Sequence, residues 1–198
     1  MNHPNILVLK GSPRQHGNSA LLAERLASGA KDAGAEVDSV YLHSLDIRPC
    51  DACEICQETG EGCIIEDDMQ PLYPKLRTAD AIVIASPVYW FTLSAQIKLC
   101  IDRWYALESP QGSALMGKQF ALLLVYGDTD PYSSGGINAI RTFQDMCRYL
   151  RASIAGILYG SSAAGGVQNQ PDLLEQAYQL GKLLGKNPTH TSKSLNAP

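Results

Sequence analysis

The sequence predicts a doubly wound α/β fold: a five-stranded parallel sheet of order 2-1-3-4-5 with helices on both faces. Three observations predict it. Short branched apolar runs, as in strands buried on both faces, alternate along the chain with segments whose apolar residues recur at helical spacing. Such alternation requires parallel strands joined by crossover helices. The loops that follow the first and third strands also carry ligand-type residues, and in a sheet of that order those two strand ends border the crevice.

Ile6-Leu7-Val8-Leu9 marks the first strand, over residues 5–9, and Gly11 ends it. Residues 18–33 read as a helix with Leu21, Leu22, Leu26 and Ala30 on one stripe and Gly34 as its C-cap. Glu36 to Leu42, with Val37, Val40 and Tyr41, is the second strand. Residues 43–67 lack periodicity and hold Pro49, Gly60, Gly62 and four cysteines, and a loop of that length is functional by length alone. Asp67 or Asp68 is expected to cap a helix running to Arg77, as N-terminal charge worth about 0.3–1 kcal/mol. Ala81–Ala85 is the central strand, and Ser86-Pro87-Val88-Tyr89-Trp90-Phe91 ends it.

A helix from Ser94 to Tyr105 follows, then a loop over 106–118. Phe120–Tyr126 is the fourth strand, ended by Gly127-Asp128, and residues 129–136 form a second ligand-sized loop. Ile137 to Leu150 is helical, Ser153–Tyr159 the fifth strand, Gly160–Gln170 a small-residue loop, and Pro171 leads a last helix over 172–184. One domain is expected over 1–186, with a cysteine-rich loop at 47–66 and a flexible polar tail at 187–198.

Composition narrows the function. The apolar fraction, 45%, suits a globular core, and a net charge of -4 without a Lys/Arg cluster argues against a nucleic-acid surface. The longest apolar stretch, Ala79 to Phe91, is broken by Asp80, Ser86 and Pro87, so no membrane span is expected. The first five residues lack a basic start and an apolar run; no signal peptide is expected, and the chain is expected to be cytoplasmic. Its six cysteines are then thiols or ligands before they are disulfides.

The loop Gly11-Ser12-Pro13-Arg14-Gln15-His16-Gly17-Asn18-Ser19 joins a strand to a helix. The first N–H groups of a helix have no intrahelical acceptor and its dipole favours negative charge there, so a phosphate is the natural guest. No Gly-Lys-Ser/Thr closes the loop and it is not a Gly-x-Gly-x-x-Gly fingerprint. The plainer alternative is a turn with Asn18 or Ser19 as N-cap. The run Gly-Ser-Pro-Arg-x-x-Gly-Asn-Ser resembles the phosphate loop of the NAD(P)H-dependent FMN reductases, whose fold is flavodoxin-like. The resemblance implies an FMN phosphate at Ser12, Arg14, Gly17, Asn18 and Ser19.

The aromatic segment after the third strand supplies apolar walls for a flat redox ring. It resembles the family's Pro-x-Tyr-Trp/Phe segment, which implies ring contacts from Pro87, Val88, Tyr89 and Trp90. Phe91 is expected in the core. By place in the family fold, Gly127 and Asp128 border the ring's pyrimidine end; an ordinary turn and cap explains them equally well.

Cys50-x2-Cys53-x2-Cys56-x6-Cys63 is the sharpest chemical signal. Four thiolates suit structural zinc, although zinc knuckles usually come from separated segments. The Cys-x2-Cys-x2-Cys run matches the start of ferredoxin motifs for a 4Fe-4S cluster, and the glycines before Cys63 leave slack for it to return to the same cluster. Free thiols at a subunit interface are the bland alternative. The chain also resembles the iron–sulfur flavoprotein branch of the same superfamily, over residues 5–160. Cys100 and Cys147 are expected in the core. The four histidines show no metal spacing; His16 stands in the phosphate loop, and Asp102 and Arg103 do not face each other.

The two resemblances imply two functions. One is an FMN-dependent oxidoreductase that takes electrons from NADPH or NADH and passes them to a small-molecule acceptor, with no side chain assigned as acid or base. The other is an electron carrier with FMN and a 4Fe-4S cluster, reduced by a ferredoxin-like protein. The resemblance implies a homodimer or homotetramer.

Overall fold

The computed structural model describes residues 3–163 and 165–186, and the tail predicted at 187–198 lies outside them. Strands β1 (Asn5–Lys10), β2 (Glu36–Tyr41), β3 (Ala81–Tyr89), β5 (Gln119–Tyr126) and β6 (Ser153–Ser161) form a parallel sheet. Their spatial order, β2-β1-β3-β5-β6, is the predicted 2-1-3-4-5 once the two-residue offshoot β4 (Thr92–Leu93) is set aside.

Alternation along the central strands sorts their side chains to two faces. Leu7, Leu9, Ile82, Ile84, Phe120, Leu122 and Leu124 join one core with Leu72, Ile97 and Phe143, from helices α3 (Leu72–Thr78), α4 (Ala95–Asp102) and α5 (Gly136–Tyr149). Ile6, Val8, Val83, Leu123 and Val125 join the other with Leu22, Leu26, Leu180 and Leu184, from α1 (Asn18–Asp32) and α6 (Pro171–Gly185). Full burial is worth about 1.5–3 kcal/mol for each such large side chain, so both layers are needed. Cys100 and Cys147 are fully buried, as expected, and burial pushes both thiols up to about 12.

Helix α1 is held where it stands by α6. A Cβ on Gly181 would lie 1.9 Å from the Leu26 carbonyl oxygen, and one on Gly29 would lie 2.0 Å from that of Tyr178. Glycine at both crossings lets the backbones touch, which fixes the helix whose N-terminus faces the crevice.

Three local expectations are corrected. The central strand runs on through Ser86 to Tyr89, because Val88 and Tyr89 pair with Leu93 and Thr92 in a hairpin. The cysteine-rich segment contains a short helix, α2 (Ile55–Thr59). Asp67 and Asp68 do not begin α3, whose N-cap is Pro71. Asp68 accepts from the Asp46 N–H at 2.7 Å, and Asp67 enters a buried ion pair described below.

Candidate functional site

β1 delivers the loop 11–17 to the carboxyl edge of the sheet. The Gly11 N–H donates to Ala85 O (2.8 Å), and Gly11 O accepts from the Ser94 hydroxyl (2.7 Å), which ties the loop to β3 and to the start of α4. A Cβ on Gly11 would stand 2.2 Å from Ile97 Cγ1, so this approach requires glycine. The Tyr41 hydroxyl donates to Pro13 O (2.7 Å), and the buried Ser12 hydroxyl accepts from the Arg14 N–H (3.0 Å). Every anchor of the loop is thus short and local to the edge.

α1 starts from Gly17 as an extended N-cap, and no side chain caps it. The expectation of Asn18 or Ser19 as cap is therefore corrected. Both lie inside the helix, and Asn18 Oδ1 accepts instead from the Val167 N–H (3.1 Å), tying the loop after β6 to α1. The first-turn N–H groups keep their donor capacity for an anion. Arg14, exposed at the rim, adds positive charge, while His16 is exposed and does not line the cleft.

One cleft of about 240 Å³ gathers most of the predicted residues. Ser12, Arg14, Gly17, Asn18 and Ser19 line one end; Pro87, Val88 and Tyr89 from β3, and Gly127 after β5, line the other. Val125, Tyr126 and Ser162 also line it and were not anticipated. Their signal was positional: they stand at the carboxyl ends of the fourth and fifth long strands, where such folds bind ligands. Burial and then Tyr159 and Asp130 raise the Tyr126 hydroxyl above its ordinary range.

Trp90 and Asp128 fall outside that cleft. They line a second, more open cleft with Phe91, Ser133 and Ser134, which shares Val88, Tyr89 and Gly127 with the first. Trp90 is 92% exposed, and Phe91, expected in the core, is 53% exposed. The reason is the hairpin. Trp90 (φ 46°) and Phe91 (φ 66°) occupy both central positions of a two-residue turn in the left-handed region, where Asn or Gly is the usual choice. Two aromatic residues there carry about 1–3 kcal/mol of strain each. Gly135 lets the turn close: its Cβ would lie 2.4 Å from Phe91 Cα.

The cysteine-rich segment lies at the other end of the sheet. Cys63 borders a hollow with Arg77 and Thr78, just before β3 begins, whereas the cleft stands where β3 ends. Cys50 and Cys53 are exposed, Cys56 and Cys63 half-buried. Among the described residues no three His, Cys, Asp or Glu side chains stand close enough to hold a metal ion. Ala52 (φ 55°) and Glu54 (φ 58°) put left-handed turns on both sides of Cys53.

The base of this segment is clasped by Arg103, which the sequence reading left unassigned. Its guanidinium is 1% exposed and pairs with Asp67 through Nη1 (2.5 Å) and Nη2 (3.2 Å). Nη1 also donates to Arg48 O (2.9 Å), and Nη2 to Ile65 O and Cys63 Sγ, each at 3.3 Å. Burial alone pushes the Asp67 carboxyl up; the Arg103 hydrogen bond and the N–H groups of Arg48 and Met69 outweigh it and hold it below its ordinary value. A signal existed: Arg103 falls three residues after Cys100 and four before Leu107, on an apolar helical stripe where a charge needs a partner.

With this geometry in view, comparisons with known proteins place the chain. Residues 4–181 match the family described as NADPH-dependent FMN reductase. The chain is 36% identical to an iron-sulfur flavoprotein of Methanosarcina thermophila over 138 residues, covering 70% of this chain and 71% of that protein. It is 26% identical to a putative NAD(P)H-dependent FMN-containing oxidoreductase of Bacillus subtilis, covering 89% and 96%. It spans about half the length of two other archaeal iron-sulfur flavoproteins that it matches. In structure it resembles the NAD(P)H:quinone oxidoreductase of Methanothermobacter marburgensis, with a TM-score of 0.73, 19% identity and coverage of 92% and 98%. The chain belongs to the NADPH-dependent FMN reductase family and is by that membership an FMN-dependent NAD(P)H oxidoreductase.

Proposed function

We propose that FMN lies in the cleft at the carboxyl edge, its phosphate on residues 12–19 and its ring along Pro87–Tyr89 and Gly127. The observation that carries this reading is the meeting of loops from the ends of β1, β3 and β5 in one cleft. An uncapped helix N-terminus beside Arg14 matches a phosphate, and the extended Pro87–Tyr89 backbone offers a flat wall beneath a ring. FMN supplies the hydride and electron chemistry when bound; the protein binds it, orients it and leaves one side open. The only titratable side chains lining the cleft among the described residues are Arg14, Tyr89 and Tyr126, so no acid or base is assigned. Ring stacking of NADPH or NADH, and then of a small acceptor, falls to the open side, next to Trp90 and Asp128. Titration with FMN, followed by addition of each nucleotide without oxygen, tests this reading. Tight binding and rapid bleaching of the flavin support it; a preparation that takes up no FMN overturns it.

A second reading is favoured by the cysteine spacing together with the kinship to iron-sulfur flavoproteins. In it, Cys50, Cys53, Cys56 and Cys63 hold a 4Fe-4S cluster and the chain exchanges electrons with a ferredoxin-like protein. The donor set fits in chemistry: four thiols in one segment, with Cys63 already fixed by a hydrogen bond. The sulfurs still have to gather, since no metal-binding group is assembled among the described residues. Because cysteine loop and cleft lie at opposite ends of the sheet within one chain, a homodimer or homotetramer is the arrangement that brings them together. A cytoplasmic location suits exposed thiols. No described helix is long and apolar enough to cross a membrane. Iron and sulfide assays after anaerobic purification test this reading: about four irons per chain, lost in Cys53→Ala, support it; zinc or bare thiols overturn it.

A further inference from the structure

We infer that Arg103 is the positioning residue of the cysteine loop: it holds Cys63 as the first fixed ligand, around which the other three thiols gather. The inference rests on the iron–sulfur reading above. Its footing is the set of bonds made by one buried side chain. Arg103 grips the loop before Cys50, at Arg48 O, and after it, at Ile65 O and Asp67, while Nη2 reaches Cys63 Sγ. Cys63 is held through its backbone as well, because Gln70 Nε2 donates to Cys63 O (2.7 Å) and Ile65 O (2.8 Å). The other thiols are held within their own turn: Cys56 Sγ accepts from the adjacent Gln57 Nε2 (3.7 Å), the Cys53 N–H donates to Asp51 Oδ1 (3.3 Å), and Cys50 and Cys53 are exposed.

A plain structural ion pair needs only Asp67. Two features exceed that need. One guanidinium N–H is spent on a sulfur, a weak acceptor when neutral and a strong one when it is a thiolate or a cluster ligand. The remaining donor, Nε, is buried without a partner. A buried N–H is costly to leave unmet, so Nε is a donor available to added negative charge. A buried cation that donates to a ligand sulfur stabilises the reduced, more negative form of a cluster. It therefore raises the reduction potential as well as ordering the ligand.

The experiment compares three proteins purified without oxygen: wild type, Arg103→Lys, and Arg103→Met combined with Asp67→Asn, which removes both charges together and keeps an acceptor for the Arg48 N–H. Iron per chain, the cluster's reduction potential and FMN per chain are measured on each. The expected result is full FMN in all three, with lowered iron and a more negative cluster potential in both variants, larger in the double variant. Unchanged iron and potential in the variants overturn the inference. Loss of FMN together with iron in both overturns it too, since Arg103 would then serve only the fold. Wild type without iron instead overturns the reading on which the inference rests, and a Cys63→Ala control that keeps its iron would show that Cys63 is not a ligand.

Discussion

The two ends of the sheet are built by different means. At the carboxyl edge the cleft is made mainly of backbone: Gly11 bonded to Ala85 and Ser94, an uncapped helix start at Gly17, and an extended strand from Pro87 to Tyr89. At the amino edge one buried ion pair, Arg103–Asp67, closes the base of the cysteine loop, with Cys63 bonded to it and Cys50 and Cys53 exposed. The ends are linked by the helix that starts at Ser94 and reaches Arg103, about 13 Å away at 1.5 Å per residue. A site of backbone amides is complete once the fold is complete. A site of side chains on a long loop depends on a single clasp and on its ligand.

The largest effect should come from breaking that clasp. Arg103→Ala leaves Asp67 buried and unpaired, and the urea midpoint should report a loss of about 3–5 kcal/mol. If the loss is under 1 kcal/mol, the amino edge is not held as described. Arg14→Ala probes the other end. Arg14 is exposed, so folding stability should stay within about 0.5 kcal/mol of wild type. Loss of a charge-assisted contact to phosphate, about 1.5–3 kcal/mol, should raise the FMN Kd roughly 10- to 150-fold in a fluorescence titration. Equal affinities would remove Arg14 from the site.

Smaller effects sharpen the contrast. Trp90→Gly replaces a left-handed aromatic residue that packs on little, and calorimetry should show a gain of about 0.5–1 kcal/mol, strain relief net of glycine's entropy. A loss would mean that the exposed indole is held by contacts not seen here. Last is pH. The Asp67 carboxyl titrates lower in the folded chain than its ordinary 3.8, so its stabilisation is fully present above that value and is lost as pH falls through the lowered one. Amide protection factors at Arg48 and Met69, whose N–H groups donate to Asp67, should fall below pH 3.8 while the loop at Gly11 stays protected.

Much of the carboxyl edge was legible in the sequence because its signals are local. A glycine and serine loop between an apolar run and a helical stripe marks a strand-to-helix turn within a dozen residues. Tyr126 and Ser162 were missed because nothing near them in the chain marks a site; only the sheet brings their strand ends beside Ser12. Phe91 was misjudged because a hydrophobic residue was assumed to be inside, whereas pairing of Tyr89 with Thr92 turns it outward. Asp67 was mistaken for a cap because its partner lies 36 residues away.

By itself the sequence determined the alternation of strands and helices that set the strand order, and the glycine and serine loop after the first strand, since these follow from periodicity and contiguous residues; the family came from the resemblance that this loop and the aromatic segment carry. Tertiary structure alone decided that the cysteine loop sits at the far end from the cleft, that Trp90 stands in solvent, and that Arg103 joins Asp67 and Cys63. These depend on segments distant in the chain meeting in space. A buried charge finds its partner through the packing of whole layers, which no local pattern encodes.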